Sequence, residues 1–160
     1  MKKDRKNIIL QSLASMLEER NLSKITTASL AEKSKITEAA LYRHFPSKRS
    51  IYAELFSFCD DSIFSKCNEI KKSKLSSKEK VKNAFIFFMF FIEKNKGFAR
   101  LLSREALSSD EQNVSDSVNQ FYERFELVLR QILKEDDSNL RTQPGISAQL
   151  IITSLEGNIG

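Results

Sequence analysis

The sequence predicts an all-α protein, and three observations carry that prediction. Only four glycines and two prolines occur in 160 residues, so helix breakers are scarce. Leu, Ile, Lys, Glu and Ser are abundant, as in helical proteins. Apolar residues recur at intervals of three and four, with little of the strict alternation that marks half-buried strands. A chain of this length buries a sizeable core, either as one domain or as a small domain attached to a larger one.

The first helix carries Ile9, Leu13, Met16 and Leu17 on one face and ends in the polar stretch from Asn21 to Lys24. Two short helices around a tight turn follow. Leu30 and Ala31 close the inner face of the first, Ile36 sits in the turn, and Leu41 with Phe45 makes the inner face of the second, a spacing that lets two small helices cross closely. Thr27 and Thr37 precede these helices as candidate N-caps, each hydroxyl accepting an otherwise unpaired amide N–H for about 1 kcal/mol. Pro46 cannot continue a helix interior, and Ser47 is the candidate cap of the next helix. That helix runs through Ile51, Leu55, Phe58, Ser62 and Ile63 and past Cys67, before a polar segment from Lys71 to Ser77. Residues 1–46 thus form a three-helix headpiece with its motif at about 26–45. It is too small to bury much apolar surface alone, so it docks on the body formed by residues 47–160.

In the body, residues 78–94 read as a helix that is apolar nearly all round from Phe85 to Ile92, which predicts burial between neighbours. Asn95-Lys96-Gly97 reads as a helix stop, with Gly97 available for a left-handed cap, and a short helix from Ala99 to Leu107 follows. Val114, Val118, Phe121, Phe125, Val128 or Leu129, and Ile132 then mark one long amphipathic helix. Asp136 to Gly145 reads as a loop, after which Ile146, Leu150, Ile151, Ser154 and Leu155 begin another helix that is cut short at Gly160.

Charge narrows the partners. Residues 1–50 carry 11 Lys and Arg against 5 Asp and Glu, a net +6; residues 51–104 carry 11 against 6, or +5; residues 105–160 carry 4 against 10, or −6. The basic amino-terminal part favours an anionic partner through counterion release, while the acidic end argues against uniform coating of nucleic acid.

Other classes are excluded by what the residues lack. There is no glycine-rich phosphate loop, and His44, inside the two-helix motif, is the one histidine, so no Ser-His-Asp set exists and no enzyme is expected. Asp60-Asp61 and Asp136-Asp137 read as solvated helix ends. Cys59 and Cys67 lie two turns apart on one helix, about 12 Å, too far for a disulfide, and with no Cys-x-x-Cys pair no zinc site or other cofactor is expected. The amino terminus lacks a signal peptide's apolar core, and the run from Phe85 to Ile92 is far short of the roughly 20 residues of a membrane span. A cytoplasmic protein follows by elimination.

The run from Ile25 to Lys48, ending in Leu41-Tyr42-Arg43-His44-Phe45-Pro46-Ser47-Lys48, resembles the helix-turn-helix of TetR-type transcription regulators. Lys35 stands at the turn position where that family commonly carries glycine, and a left-handed backbone there costs lysine about 1 kcal/mol. The resemblance implies a DNA-binding headpiece in which Thr27, Tyr42, His44 and Lys48 hold phosphates, while Thr37, Glu38, Ala39 and Arg43 lie nearest base edges. From the residues themselves, Tyr42 is also placed to pack on the neighbouring short helix, and His44 to satisfy a backbone carbonyl. TetR-type bodies pair through their last two helices, so a homodimer is expected of the full-length protein; against that pattern the first helix of the pair reads as cut short here and the second as absent, so that either the chain is a fragment or its dimerisation differs.

The flanks Ile9-Leu10-Gln11-Ser12-Leu13-Ala14 and Phe121-Tyr122-Glu123-Arg124-Phe125-Glu126, with Leu129 to Leu133, narrow the resemblance to the nucleoid occlusion branch of the family. That branch implies a nucleoid-associated protein that, once on DNA, engages the tail of the division tubulin homologue FtsZ and antagonises its ring. Phe58, Lys66, Phe87, Phe90, Lys94 and Asn95 would then form the partner groove. The phenylalanines serve equally well as core. The other reading is a repressor whose Phe-rich body encloses a small apolar effector and releases DNA when it binds.

Overall fold

Hydroxyl caps decide where most of the helices begin. The computed structural model describes residues 2–19, 22–134 and 153. Among them are seven α-helices, α1 (Lys2–Glu18), α2 (Thr27–Lys33), α3 (Glu38–His44), α4 (Lys48–Lys72), α5 (Ser77–Lys94), α6 (Lys96–Leu102) and α7 (Gln112–Lys134), two short 3₁₀ turns, and no strand. Ser47 and Ser76 cap α4 and α5, each with a reciprocal side-chain bond from the third helical residue, so two amides are satisfied at each start. Thr37 caps α3 by accepting from the Ala40 amide at 3.2 Å. The cap of α2 is Thr26 rather than Thr27: its hydroxyl accepts from the Ser29 amide, and the Ser29 hydroxyl closes the box, which leaves Thr27 in the first turn with its side chain turned to α3.

The turn between α2 and α3 takes the conformation its sequence opposes. Lys35 has φ 55, in the left-handed region, while Ile36 donates back to the Ala31 carbonyl at 3.0 Å and tucks against the core. Leu30, Ala31, Leu41 and Phe45 are all buried, where α2 and α3 pack on each other and α2 on α1, as their spacing predicts.

The headpiece is bolted to the body through α6. Gly97 lies inside α6, not at a left-handed cap, and Asn95 makes the corner between α5 and α6. A Cβ at Gly97 would stand 2.7 Å from the Ala14 carbonyl oxygen and 3.1 Å from Leu17 Cβ, so glycine is required by the close approach of α1. One turn on, the Arg100 guanidinium donates to the carbonyls of Leu17, at 2.8 Å, and Glu19, so a body residue caps the end of the first helix of the headpiece. The short helix expected over Ala99 to Leu107 starts and ends earlier, because Asn95 breaks α5 and Ser103 ends α6 before the left-handed Arg104.

The body core is built from aromatic rings. Phe121 is fully buried, with Phe56, Phe64, Phe88, Phe98, Tyr122 and Phe125 around it at centroid distances of 5.4 to 6.4 Å. Helix α5 is not buried all round: Ala84, Phe88 and Ile92 face the core, while Ile86 and Phe90 are exposed, since α4, α6 and α7 cover one side of it. On α4 the inner face holds Phe56 and Cys59, and Phe58 points away from it.

Asp60 is no solvated helix end. It lies within α4, 8% exposed, and pairs with Arg124 of α7 at 2.8 Å, whose guanidinium lies 3.9 Å above the Phe64 ring. Burial raises its carboxyl above the usual range, and the Arg124 hydrogen bond and charge oppose that rise. Cys59 and Cys67 are buried free thiols, and burial pushes them up to about 12 and about 11, so they are inert packing residues. Asp136 to Gly145 and the helix from Ile146 lie outside the described residues, apart from Thr153.

Candidate nucleic-acid interface

Helix α3 buries Leu41, half-buries Ala40 and His44, and turns its other residues outward. Thr37, Glu38, Ala39, Tyr42 and Arg43 are all exposed, and together they make one face spanning two turns. Across that face runs a hydrogen-bonded chain. The Tyr42 hydroxyl donates to Thr27 Oγ1 at 3.4 Å, and Thr27 donates to Glu38 Oε1 at 2.5 Å, which fixes the angle between α2 and α3 and holds Tyr42 at the rim. Tyr42 therefore touches the neighbouring helix through its oxygen while its ring stays half exposed. His44 is half-buried at the end of α3, and its imidazole makes no hydrogen bond among the described residues.

Lys48 opens α4 beside this face, and its charge is already shared. Its ammonium lies 3.6 Å from a carboxylate oxygen of Glu111, which is 2% exposed, and 5.2 Å above the Tyr52 ring. Glu111 also accepts from the Ser108 amide at 3.0 Å and from the Ser108 hydroxyl. The nearby acid and, above all, burial push the Tyr52 phenol well up, so it stays neutral. No sequence signal announces Glu111 as a partner for Lys48, because the two meet only when the turn before α7 folds over the start of α4.

The six residues expected to form a partner groove do not share one lining. Phe58, 64% exposed, and Asn95 line a groove of about 250 Å³ between α1, α4 and the corner before α6, together with Leu10, Gln11, Ala14 and Phe98. Phe90, 55% exposed, and Lys94 form a separate pair one turn apart on α5, with the ammonium 5.7 Å above the ring. Phe87 is half-buried and packs on Phe91 at 6.0 Å. Lys66 pairs with Glu69 along α4 at 2.7 Å, so part of its charge is used there.

Among the described residues no three His, Cys, Asp or Glu side chains come together as a metal site, and no helix is long and apolar enough to cross a membrane. The outward face of α3, flanked by Thr27 and Lys48, has the shape of a groove-reading helix with its first helix crossing behind it.

Comparison with known proteins decides the family. The model for bacterial regulatory proteins of the tetR family matches residues 9–55, and that for the tetracyclin repressor-like, SlmA-like C-terminal domain matches residues 76–160. The chain belongs to the TetR family. Among curated relatives, nucleoid occlusion factor SlmA of Marinomonas sp. is 36% identical over 162 residues, covering 99% of this chain and 82% of the relative. The factor of the same name from Vibrio cholerae is 36% identical over 161 residues, covering 98% and 82%, and that from Sodalis glossinidius is 39% identical over 135, covering 84% and 68%. Solved TetR-family regulators share the fold at low identity. One from Agrobacterium tumefaciens has a TM-score of 0.80 at 16% identity, covering 99% of this chain and 87% of that one. The transcriptional regulator FadR from Bacillus subtilis, in complex with stearoyl-CoA, has a TM-score of 0.79 at 16% identity, covering 96% and 84%. This TetR-family chain is thus a SlmA-like DNA-binding regulator, and its all-α headpiece-and-body architecture is that of its family.

Proposed function

We propose that the chain acts as a nucleoid occlusion factor. On chromosomal DNA it engages the carboxyl-terminal tail of FtsZ and antagonises ring assembly over the nucleoid, and the full-length protein works as a homodimer. In this reading Thr37, Glu38, Ala39 and Arg43 meet base edges, and Thr27, Tyr42, His44 and Lys48 hold phosphates. The observation that carries it is the similarity to nucleoid occlusion factors along nearly the whole chain, body included, at 36% identity.

The groove around Phe58 is the proposed seat of the FtsZ tail. A phenylalanine 64% exposed, beside Leu10, Leu55 and Phe98, offers an apolar anchor, and Asn95 with Gln11 adds polar groups for an extended peptide. Phe90 and Lys94 supply a second apolar and cationic contact on α5. The effector-sensing alternative has less support, because the body phenylalanines expected to enclose an effector pack on one another around Phe121.

The test is an anisotropy titration of a labelled FtsZ tail peptide against the full chain on duplex DNA. The parent binds, and Phe58→Ala, which removes an exposed ring and leaves the core intact, weakens binding by about tenfold or more, as loss of an interface anchor does. Absence of peptide binding with and without DNA refutes the FtsZ partner; unchanged binding by Phe58→Ala refutes this groove.

A further inference from the structure

The carboxyl end of α1 is held by residues from outside it. Its last turn carries no basic side chain, and Glu18 and Glu19 put negative charge where the helix dipole is already negative, so the local sequence opposes this helix end. Arg100 of α6 supplies the missing cation. Its guanidinium donates to the Leu17 carbonyl at 2.8 Å and to the Glu19 carbonyl. The Glu19 carboxylate pairs in turn with Lys33, in the last turn of α2, at 2.7 Å. One run of polar contacts therefore leads from α6 across the end of α1 to the last turn of α2, directly before the turn into α3.

The α2–α3 pair stands on the body by way of α1. Helices α2 and α3 pack on each other and α2 on α1, while α1 packs on α4 and α6. Toward its amino end α1 reaches the reading helix, since Ile8 and Ile9 line one concavity with Ile36, Thr37 and Ala40. Whatever fixes the carboxyl end of α1 thus fixes how the exposed face of α3 stands relative to the body. Gly97 lets α1 and α6 approach, but contact at a glycine resists compression alone. Hydrogen bonds to two successive carbonyl positions are directional and resist sliding and rotation as well.

We propose that Arg100 is a positioning residue for base recognition: it clamps the end of α1 so that α3 meets the groove in register, and Glu19 carries the constraint to α2 through Lys33. The inference rests on the DNA-binding reading and adds to it a body residue that touches no DNA. Base-edge contacts depend on register, whereas the attraction of a basic surface to phosphates does not. The quantity that reports positioning is therefore the preference for a duplex the parent selects from a random pool over a mixed-sequence duplex of equal length.

Anisotropy titration of the full chain, well below its melting temperature, measures that preference. Arg100→Met keeps the aliphatic stem and loses the donors; its affinity for the selected duplex falls about tenfold, and that for the mixed duplex stays within about twofold of the parent. Arg100→Lys, which retains a charged donor, recovers most of the preference. Glu19→Gln, which keeps the carbonyl and gives up the charge pair with Lys33, lowers the preference by a smaller factor. Parent preference in both Arg100→Met and Glu19→Gln overturns the positioning role and leaves DNA binding standing. Equal losses on the two duplexes overturn it as well, because they report charge or folding. If Arg100→Met does not fold, Glu19→Gln decides alone: parent preference there overturns the relay to α2. A parent chain that binds no duplex overturns the DNA-binding reading together with this one.

Discussion

Lys48 and Arg43 stand on either side of the α3–α4 corner, and their surroundings give them different work. Arg43 is exposed and has no ion-pair partner among the described residues, whereas Lys48, where the body begins, is held by Glu111. Replacing Lys48 by Ala should weaken binding to every duplex and flatten its salt dependence. It should also cost about 1 kcal/mol of stability, because it strands a buried carboxylate whose partner was itself a third exposed. Arg43→Ala should relax sequence preference as well as weaken binding, with no loss of stability. Anisotropy isotherms at several salt concentrations, with thermal melts, separate the two; unchanged isotherms for both variants would remove the assignment. At this scale the local chemistry was legible: the caps Thr37 and Ser47, the strained Lys35 and the inward Leu30 and Leu41 all follow from nearest neighbours in sequence. Glu111 and Arg100 were not legible, because their partners lie far along the chain and no spacing rule links them.

Helix α5 shows why element boundaries were easier to read than element faces. Its start at Ser77, capped by Ser76, and its end at Asn95 fall within a residue of the 78–94 that the sequence predicts, yet an unbroken apolar run from Phe85 to Ile92 has no periodicity to say which residues turn inward. Packing decides: α4, α6 and α7 cover Ala84, Phe88 and Ile92 and leave Ile86 and Phe90 outside. Phe58, which the sequence offers both to the core and to a partner groove, stands at the edge of the buried face of α4 beside Ile51 and is exposed in the groove between α1 and α4. Gly97 was misread for a related reason, since a glycine after a polar pair looks like a helix cap until α1 is found pressed against it. Gly97→Ala should force α1 and α6 apart, because the obstacle at 2.7 Å is a backbone carbonyl that cannot swing aside. A destabilisation of about 1–3 kcal/mol in urea titration is expected from such overpacking. A variant as stable as the parent would show that the approach of the two helices is looser than the structure has it.

For the molecule as a whole, the helix pair at residues 27–44 announced a headpiece, but not how firmly it is fixed. Arg100 on the end of α1 and Gly97 against Ala14 tie the three-helix unit to the body at two points, and Glu111 pairs with Lys48 where the body begins. Movement of α6 or of the turn before α7 is therefore coupled to the start of α4 and the angle of α1. The charge is divided along the chain, +11 net over residues 1–104 (22 Lys and Arg against 11 Asp and Glu) and −6 over residues 105–160, which in the proposed reading favours duplex at the basic part. The proposed peptide groove around Phe58 opens on this same headpiece–body seam, so occupancy of DNA and of the groove can be sensed through shared contacts. Antagonism of FtsZ assembly by the DNA-bound chain is read out by light scattering from FtsZ polymers. The measurement compares the chain alone with the chain on a duplex it has selected from a random pool. The duplex-bound chain should lower the polymer signal more than the chain or the duplex does alone. An unchanged polymer signal at full duplex occupancy would contradict it.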